Sequence, residues 1–185
     1  MEEFKNLQET KLTSQPIFDG DVLHIYKDTV RLPNGKTSTR EYTVHHGAVC
    51  ILPLLENGDV LLERQFRYAM GEVLTEIPAG KLDYIGEDPR EAALRELREE
   101  TGIEADEADF HLVRSFREHS TFSDVYFLFH DIPLSALHLQ PGETTEARWV
   151  SKAGLEALVA SGEVAQPDVR RLRQLGDEFR KIWNA

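Results

Sequence analysis

The stretch Arg95-Glu96-Leu97-Arg98-Glu99-Glu100-Thr101-Gly102-Ile103 decides both the fold and the chemistry expected of this 185-residue chain. The helix that carries it is predicted to begin after Asp88, which suits the N-cap, with Pro89 in the first helical position and Glu91 completing an Asp-x-x-Glu capping box. Gly102 is predicted to end the helix. The sequence therefore predicts one well-capped helix that holds the acidic stretch.

Three glutamates of this helix share one face. Glu96, Glu99 and Glu100 stand at i, i+3 and i+4, whereas the neighbouring apolar residues point towards a core. Each close pair of like charges costs an isolated helix only about 0.2–0.5 kcal/mol, so a solvated acidic face explains the pattern. A bound divalent cation also explains it, because Mg²⁺ prefers hard oxygen ligands. The spacing alone leaves both interpretations open.

Strands are predicted on both sides of the acidic helix. Continuous apolar runs typical of strands buried on two faces, and shorter alternating runs, occur at 48–55, 60–67, 73–77, 110–116, 125–130 and 147–150. A short helix is expected from Ser151 to near Gly162, and a last helix is expected after Asp168. The recurrence of Leu172, Leu175, Phe179 and Ile182 at spacings of three and four predicts a core-facing stripe on that helix. The pattern indicates an α/β protein with a mixed sheet.

A hairpin is predicted ahead of this core. Alternating runs around 22–26 and 40–44 flank the turn signal Pro33-Asn34-Gly35. We expect an amino-terminal antiparallel region over residues 1–46, a core over 47–162, and a carboxy-terminal helix over 163–185 that packs on the core.

Charge and composition exclude some partners. The formal net charge of -12 repels nucleic acid and anionic lipid headgroups, and no apolar run approaches a membrane span of roughly 18 residues. Cys50 lies in an apolar run, which predicts a buried small side chain. The polar, acidic residues 1–12 show no basic apolar leader, so we expect a cytoplasmic protein.

The loop and helix at 80–103 resemble the Nudix box, in which a glycine loop and a glutamate precede Arg-Glu-aliphatic-x-Glu-Glu-x-Gly-aliphatic. The box places five residues between its glycine and first glutamate, whereas six lie between Gly80 and Glu87, and we assign the extra residue to Tyr84-Ile85 in the loop. The resemblance implies a Nudix-type α/β/α sandwich.

The resemblance also implies a ligand set for magnesium, with manganese as an alternative. Glu96 and Glu100 are the expected ligands, Glu99 is expected to share ligation, and Ala79 is expected to offer its carbonyl oxygen. Arg95 is expected to orient the glutamates, although an ordinary Arg95–Glu99 helix pair at i,i+4 explains this arginine equally well.

Beyond the box, the chain is similar to the ADP-ribose pyrophosphatase group. The similarity rests on Gln65-Phe66-Arg67-Tyr68, on the run 76–83, on the amino-terminal hairpin, and on the acidic loop before Ser151. It implies magnesium-dependent hydrolysis of a nucleoside diphosphate sugar, with ADP-ribose as the expected substrate, and a homodimer formed through the hairpin. Another nucleoside diphosphate derivative such as a GDP-sugar, or a nucleotide-sensing domain without catalysis, are the alternatives.

Substrate and catalytic roles follow from the same resemblance. Arg40, Arg67 and Glu76 are the expected substrate-binding residues, since guanidinium groups suit a diphosphate. Glu143 is the preferred catalytic base, and Glu99, Glu146 and His119 remain the alternatives.

Overall fold

A short antiparallel sheet forms the first of two units in the chain, residues 1–45 and 46–185. The computed structural model describes residues 7–118 and 121–183. Strands β1 (Thr10–Asp19), β2 (His24–Arg31) and β3 (Thr37–Val44) pair in the order β1-β2-β3. The predicted hairpin is confirmed as β2–β3, with Gly35 in the left-handed conformation at its turn.

Strand β1 was missed because its sequence carries no burial pattern. Every residue of Thr10–Asp19 is exposed, so apolar and polar side chains need not alternate. Its place is fixed by backbone pairing with β2, which leaves no mark in the sequence.

The second unit is built on a seven-stranded sheet. Its strands are β4 (Ala48–Leu54), β5 (Val60–Arg67), β6 (Glu72–Glu76), β7 (Ala79–Lys81), β8 (Phe110–Glu118), β9 (Thr121–Phe129) and β10 (Thr144–Val150). The order is β10-β5-β4-β9-β8, with β6 paired to β5 and β7 paired to β4. Because β4 and β9 run parallel and the other pairs run antiparallel, the sheet is mixed, as predicted.

Helices cover both faces of this sheet. Leu97 of α1 (Pro89–Thr101) is buried with Ile51 and Leu61 on one face. Leu155 of α2 (Lys152–Ser161) and Leu175 of α3 (Gln166–Trp183) are buried with β-strand residues of the opposite face. The α/β/α sandwich is therefore confirmed, and alternation along β5 sends Leu61, Glu63, Gln65 and Arg67 to the α1 side.

The helix ends agree with the sequence signals in most places. Asp88 caps α1, but its side chain accepts from the Arg90 N–H rather than through the expected box with Glu91. Gly102 ends α1, and Ser151 and Gly162 bound α2. The start of α3 was predicted wrongly, because the helix begins at Gln166 and includes Asp168 in its first turn.

The predicted stripe of α3 is confirmed in part. Leu175 is buried and Leu172 packs against the same core, whereas the side chains of Phe179 and Ile182 lie outside what the structure describes. Within the described ranges, no helix combines the length and the apolar composition that a membrane crossing requires.

Candidate active site

The buried apolar side of helix α1 determines how far each of its glutamates is exposed. Ala92, Ala93 and Leu97 are fully shielded from solvent, which fixes the rotation of the helix on the sheet. Glu100 is thereby buried and Glu96 lies half-buried, whereas Glu99 is exposed. The three predicted ligands thus occupy different environments.

The segment at β7 meets the buried glutamates directly. The Ala79 N–H donates to Glu100 Oε2 at 3.0 Å. At Gly80 an added Cβ would lie 1.8 Å from Glu96 Cδ, so only glycine allows this backbone to approach the Glu96 carboxylate. The structure therefore brings together Ala79, Glu96 and Glu100.

Arg95 ties the helix to the loop before it. Its Nη1 donates to Glu96 Oε1 at 2.7 Å, and its Nη2 donates to the Lys81 carbonyl oxygen at 3.1 Å. The i,i+4 pair with Glu99 also exists, but at 3.7 Å it is the longest of these contacts. Of the two interpretations of Arg95, the geometry favours the orienting role.

Glu87 closes the same loop from the inside. It is buried, accepts from the Asp83 N–H at 2.6 Å, and lies 3.4 Å from Arg95 Nη2. Tyr84 and Ile85 project into solvent, which agrees with placing the extra loop residue there.

Arg67 and Glu76 form the second part of the site, on β5 and β6. Arg67 Nε donates to both Glu76 oxygens, at 3.1 and 3.0 Å, and Nη2 contacts Oε2 as well. The hydrogen bonds from Arg67 to Glu76 raise the arginine pKa further above its ordinary value. Glu76, predicted to bind substrate, is thus placed as the residue that holds Arg67.

Sequence reasoning missed two buried carboxylates beside these groups. Glu63 opposes Glu76 in the β5–β6 register and is 1% exposed. Asp168 accepts from the Ile77 N–H at 3.3 Å and from Arg171 Nη1 at 2.9 Å. A glutamate directly after the apolar run Val60-Leu61-Leu62 was the available signal for Glu63, and Asp168 was misread as a helix start.

Electrostatics at this place favour a bound cation. Burial, and then the charge of Glu63, raise the pKa of Glu100 well above that of an ordinary glutamate. Burial also raises the pKa of Glu96, in spite of its hydrogen bond from Arg95. The carboxylates therefore resist ionising together unless positive charge is supplied.

The residues fit magnesium as an open site rather than as a closed cage. In the described part of the chain, no group of three histidine, cysteine or acidic side chains is arranged to hold a metal ion. Mg²⁺ does not require such a cage, since it usually keeps several waters and binds through one or two carboxylates plus substrate phosphates. Glu96 and Glu100 are the carboxylates available for this.

The base candidates Glu143 and Glu146 are both exposed. Glu143 is exposed in a turn whose Gln140 N–H donates to the Glu100 carbonyl oxygen at 3.4 Å, so the loop starts beside the end of α1. Glu146 belongs to β10, which begins three residues earlier than predicted, and pairs with Arg64 at 3.2 Å. His119 lies outside the described residues.

Arg40 is placed in the first unit. It pairs with Glu9 through Nε at 2.9 Å and donates from Nη1 to the Thr39 carbonyl oxygen at 2.8 Å. The contacts described for Arg40 thus lie within the first unit.

A cleft of about 580 Å³ opens along another side of α1, lined among others by Leu94, Arg98 and His130. Of the predicted site residues only Arg95 lines it. The cleft is therefore separate from the carboxylate cluster.

This combination of a mixed sheet between helices with a glycine loop and an acidic helix matches a known family. Residues 44–172 match the NUDIX domain, and the chain belongs to that family. Residues 9–43 match the nucleoside diphosphate sugar hydrolase N-terminal domain.

Several relatives share the central part of the chain. An ADP-ribose pyrophosphatase of Bacillus subtilis (strain 168) is 46% identical over 101 residues, covering 55% of this chain and 54% of the relative. A methanol dehydrogenase activator of Bacillus methanolicus is 40% identical over 120 residues, covering 65% and 63%. The chain thus spans about half to two thirds of the length of these relatives.

Among solved structures, an ADP compounds hydrolase superposes with a TM-score of 0.71 over 95% of this chain and 96% of that one. At 19% identity, this likeness shows the fold alone.

Proposed function

We propose that the chain is a magnesium-dependent hydrolase that cuts the diphosphate linkage of a nucleoside diphosphate sugar, with ADP-ribose preferred and Mn²⁺ able to replace Mg²⁺. The observation that carries the proposal is the packing of Glu96 and Glu100 against Ala79 and Gly80. The matched families and the name of the Bacillus subtilis relative support the substrate class.

The proposed reaction is a hydrolysis at phosphorus. A water oxygen forms a bond to one phosphorus atom, the bridging P–O bond breaks, and the products are a nucleoside monophosphate and a sugar phosphate. A bound divalent cation would neutralise the diphosphate and make water a better nucleophile. Glu96 and Glu100 would hold that cation together with the Ala79 carbonyl oxygen, with Glu99 in a supporting place.

Other side chains of the protein would position the metal ligands, bind the diphosphate and accept a proton. Arg95 keeps the Glu96 carboxylate in place. Arg67, held by Glu76, presents a guanidinium to the diphosphate. Glu143 accepts the proton of the attacking water once its loop has moved towards the substrate, in the way that lids complete other sites.

A phosphate-release screen tests this proposal. Nucleoside diphosphate sugars, including ADP-ribose and a GDP-sugar, are incubated with the full chain plus a phosphatase that acts only on the products, with Mg²⁺ or with chelator. We expect release from ADP-ribose with Mg²⁺ and none with chelator. A preference for a GDP-sugar would replace ADP-ribose as the proposed substrate. Tight nucleotide binding without phosphate release would instead support a nucleotide-sensing domain.

We also propose that the amino-terminal sheet pairs with a second copy of the chain. Its apolar side chains Ile17, Phe18, Val22 and Leu23 are more than half exposed, which favours burial against a partner. In a two-fold dimer Arg40 would exchange Glu9 for the diphosphate in the partner's site. Light scattering of the full chain should give twice the monomer mass, and a monomeric mass at working concentration would disprove this.

The expected cytoplasmic location and the 1–46, 47–162 and 163–185 boundaries stay predictions.

A further inference from the structure

The segment 75–79 carries two contacts of the candidate site. Glu76 accepts from Arg67 Nε at 3.1 and 3.0 Å, and the Ala79 N–H donates to Glu100 Oε2 at 3.0 Å. Strand β6 ends at Glu76 and β7 begins at Ala79, so the chain crosses from β5 to β4 within this segment. The position of both contacts therefore depends on what holds the backbone here.

The outer edge of this segment is bound by the residues that lead into α3. The Thr75 N–H donates to the Glu163 carbonyl oxygen at 3.1 Å, and the Ala165 N–H donates to the Thr75 carbonyl oxygen at 2.9 Å. Thr75 and Val164 thereby form a parallel bridge. The end of β6 thus has β5 on one side and residues 163–165 on the other.

Asp168 extends this contact past Glu76. Its Oδ2 accepts from the Ile77 N–H at 3.3 Å, and its Oδ1 accepts from Arg171 Nη1 at 2.9 Å. The residue is 4% exposed, so both oxygens have their partners inside the protein. Glu76 therefore lies between Thr75 and Ile77, whose backbones are both held by the segment 163–168.

The burial of Asp168 indicates a role in position rather than in stability. A buried ion pair contributes little to stability compared with well-packed apolar side chains of similar volume. A carboxylate does, however, bind a backbone N–H at a defined distance and direction, which an apolar side chain cannot do. The contact thus fixes where the Ile77 backbone lies, directly after Glu76.

We propose that Asp168 is a positioning residue for substrate binding, which holds the Ile77 backbone, thereby fixes Glu76, and through Glu76 fixes the Arg67 guanidinium. The inference rests on the proposed role of Arg67 in binding the diphosphate. The contacts run from α3 through the turn between β6 and β7 to the end of β5. Asp168 acts through these contacts and does not itself touch the substrate.

The first measurement needs no substrate. The Arg67 Nε–H is followed by ¹⁵N NMR, and its signal is assigned by its loss in Arg67→Lys. In Asp168→Ala it should exchange with solvent roughly tenfold faster than in the wild type, because the contact with Glu76 opens more readily. Asp168→Asn should behave as the wild type does, since an amide oxygen still accepts from the Ile77 N–H.

Steady-state kinetics with ADP-ribose and Mg²⁺ give the second readout. Asp168→Ala should raise KM about tenfold with a smaller change in kcat, because a misplaced guanidinium loses its contact with the diphosphate. Asp168→Asn should restore KM to near the wild-type value. Made in the Arg67→Lys background, Asp168→Ala should add little to the rise in KM, since both changes remove the same contact.

Leu175→Ala is the matched control, because Leu175 lies on the same helix about two turns further on and is 1% exposed. It should lower Tm through the cavity it leaves, while Arg67 exchange and KM stay at wild-type values. If Asp168→Ala does not fold, Asp168→Glu keeps the charge beside Arg171 and moves the acceptor away from Ile77. It should then show the same two losses.

The outcomes separate this inference from the proposed function. Unchanged Arg67 exchange in a folded Asp168→Ala or Asp168→Glu variant would overturn the positioning role, and so would equal effects in Leu175→Ala. If Arg67 exchange responds as expected but the wild type does not cleave ADP-ribose, the proposed function fails while the coupling of Asp168 to Arg67 stands.

Discussion

The Arg67 side chain reaches back along its hairpin to Glu76, although Glu72 is its direct partner in the β5–β6 register. Glu76 is buried and Glu72 is exposed, so the ion pair forms at the inner end of the hairpin. The buried carboxylate thereby aims the guanidinium towards the α1 side of the sheet.

Arg67→Lys should raise KM for ADP-ribose about tenfold with a smaller change in kcat, because an ammonium cannot make the planar two-pronged contact. Steady-state kinetics measure both constants. Arg64→Lys is the control, since Arg64 lies on the same strand and pairs with the exposed Glu146. Equal effects of the two variants would remove Arg67 from the substrate site.

Glu96→Gln and Glu100→Gln should each lower kcat by two or more orders of magnitude, on the order of 3 kcal/mol or more in activation free energy. Both should fold, because Leu97 and the neighbouring alanines keep the helix on its core. Circular dichroism and turnover assays check this, with Glu91→Gln as an exposed control on the same helix. If both variants unfold, the cluster is structural rather than catalytic.

Gly80→Ala should displace the Glu96 carboxylate, since the new Cβ would lie 1.8 Å from its Cδ. The carboxylate ends a flexible side chain, so folding should survive while turnover falls at least tenfold. The loss should largely disappear when the change is made in a Glu96→Gln background that is already impaired. Additive losses would show that Gly80 acts independently of Glu96.

Periodicity and end signals predicted the three helices and six of the seven strands of the core sheet, because buried faces impose regular patterns. The three-residue strand β7 was not predicted, since it is too short to show a period. They did not predict β1, whose exposed residues carry no such pattern. The box residues were predicted because their spacing along one helix is local. Glu63 and Asp168 escaped, since their burial depends on strand pairing and on α3 packing across the sheet.

Asp168 links α3 to the segment before β7, and burial raises its pKa to about 6. Arg171 and the Ile77 N–H oppose this rise, whereas the charge of Glu76 adds to it. A carboxyl with a raised folded-state pKa binds its proton more tightly when folded, so its contribution to stability is lost as pH rises from about 4 to 6.

Asp168→Asn should remove this pH dependence. In the wild type it lowers the free energy of unfolding by on the order of 3 kcal/mol between about pH 4 and pH 6. Denaturant unfolding at pH 4, 5, 6 and 7 with chelator gives the free energy of unfolding for both proteins. The difference between variant and wild type should shift in favour of the variant as pH rises. Asp21→Asn, in an exposed loop, should run parallel to the wild type, and the same parallel course for Asp168→Asn would refute the assignment.

The last prediction concerns the proton acceptor, for which Glu143 and Glu99 compete. Glu143 is exposed, and within the described chain its carboxylate has no ion-pair or hydrogen-bond partner. Glu99 is restrained, at 3.7 Å from Arg95. An unpaired carboxylate on a turn that begins beside the end of α1 is the better placed to meet a substrate that arrives later.

Glu143→Gln should therefore lower kcat far more than KM, as expected when an interaction is made mainly in the transition state. A base that must be ionised gives a rate that falls on the acidic side, so this limb of the pH–rate profile should vanish in Glu143→Gln and persist in Glu99→Gln. Glu146→Gln should keep it too, because Glu146 is engaged with Arg64 on β10. Loss of the acidic limb in Glu99→Gln alone would move the base from the loop to the box helix.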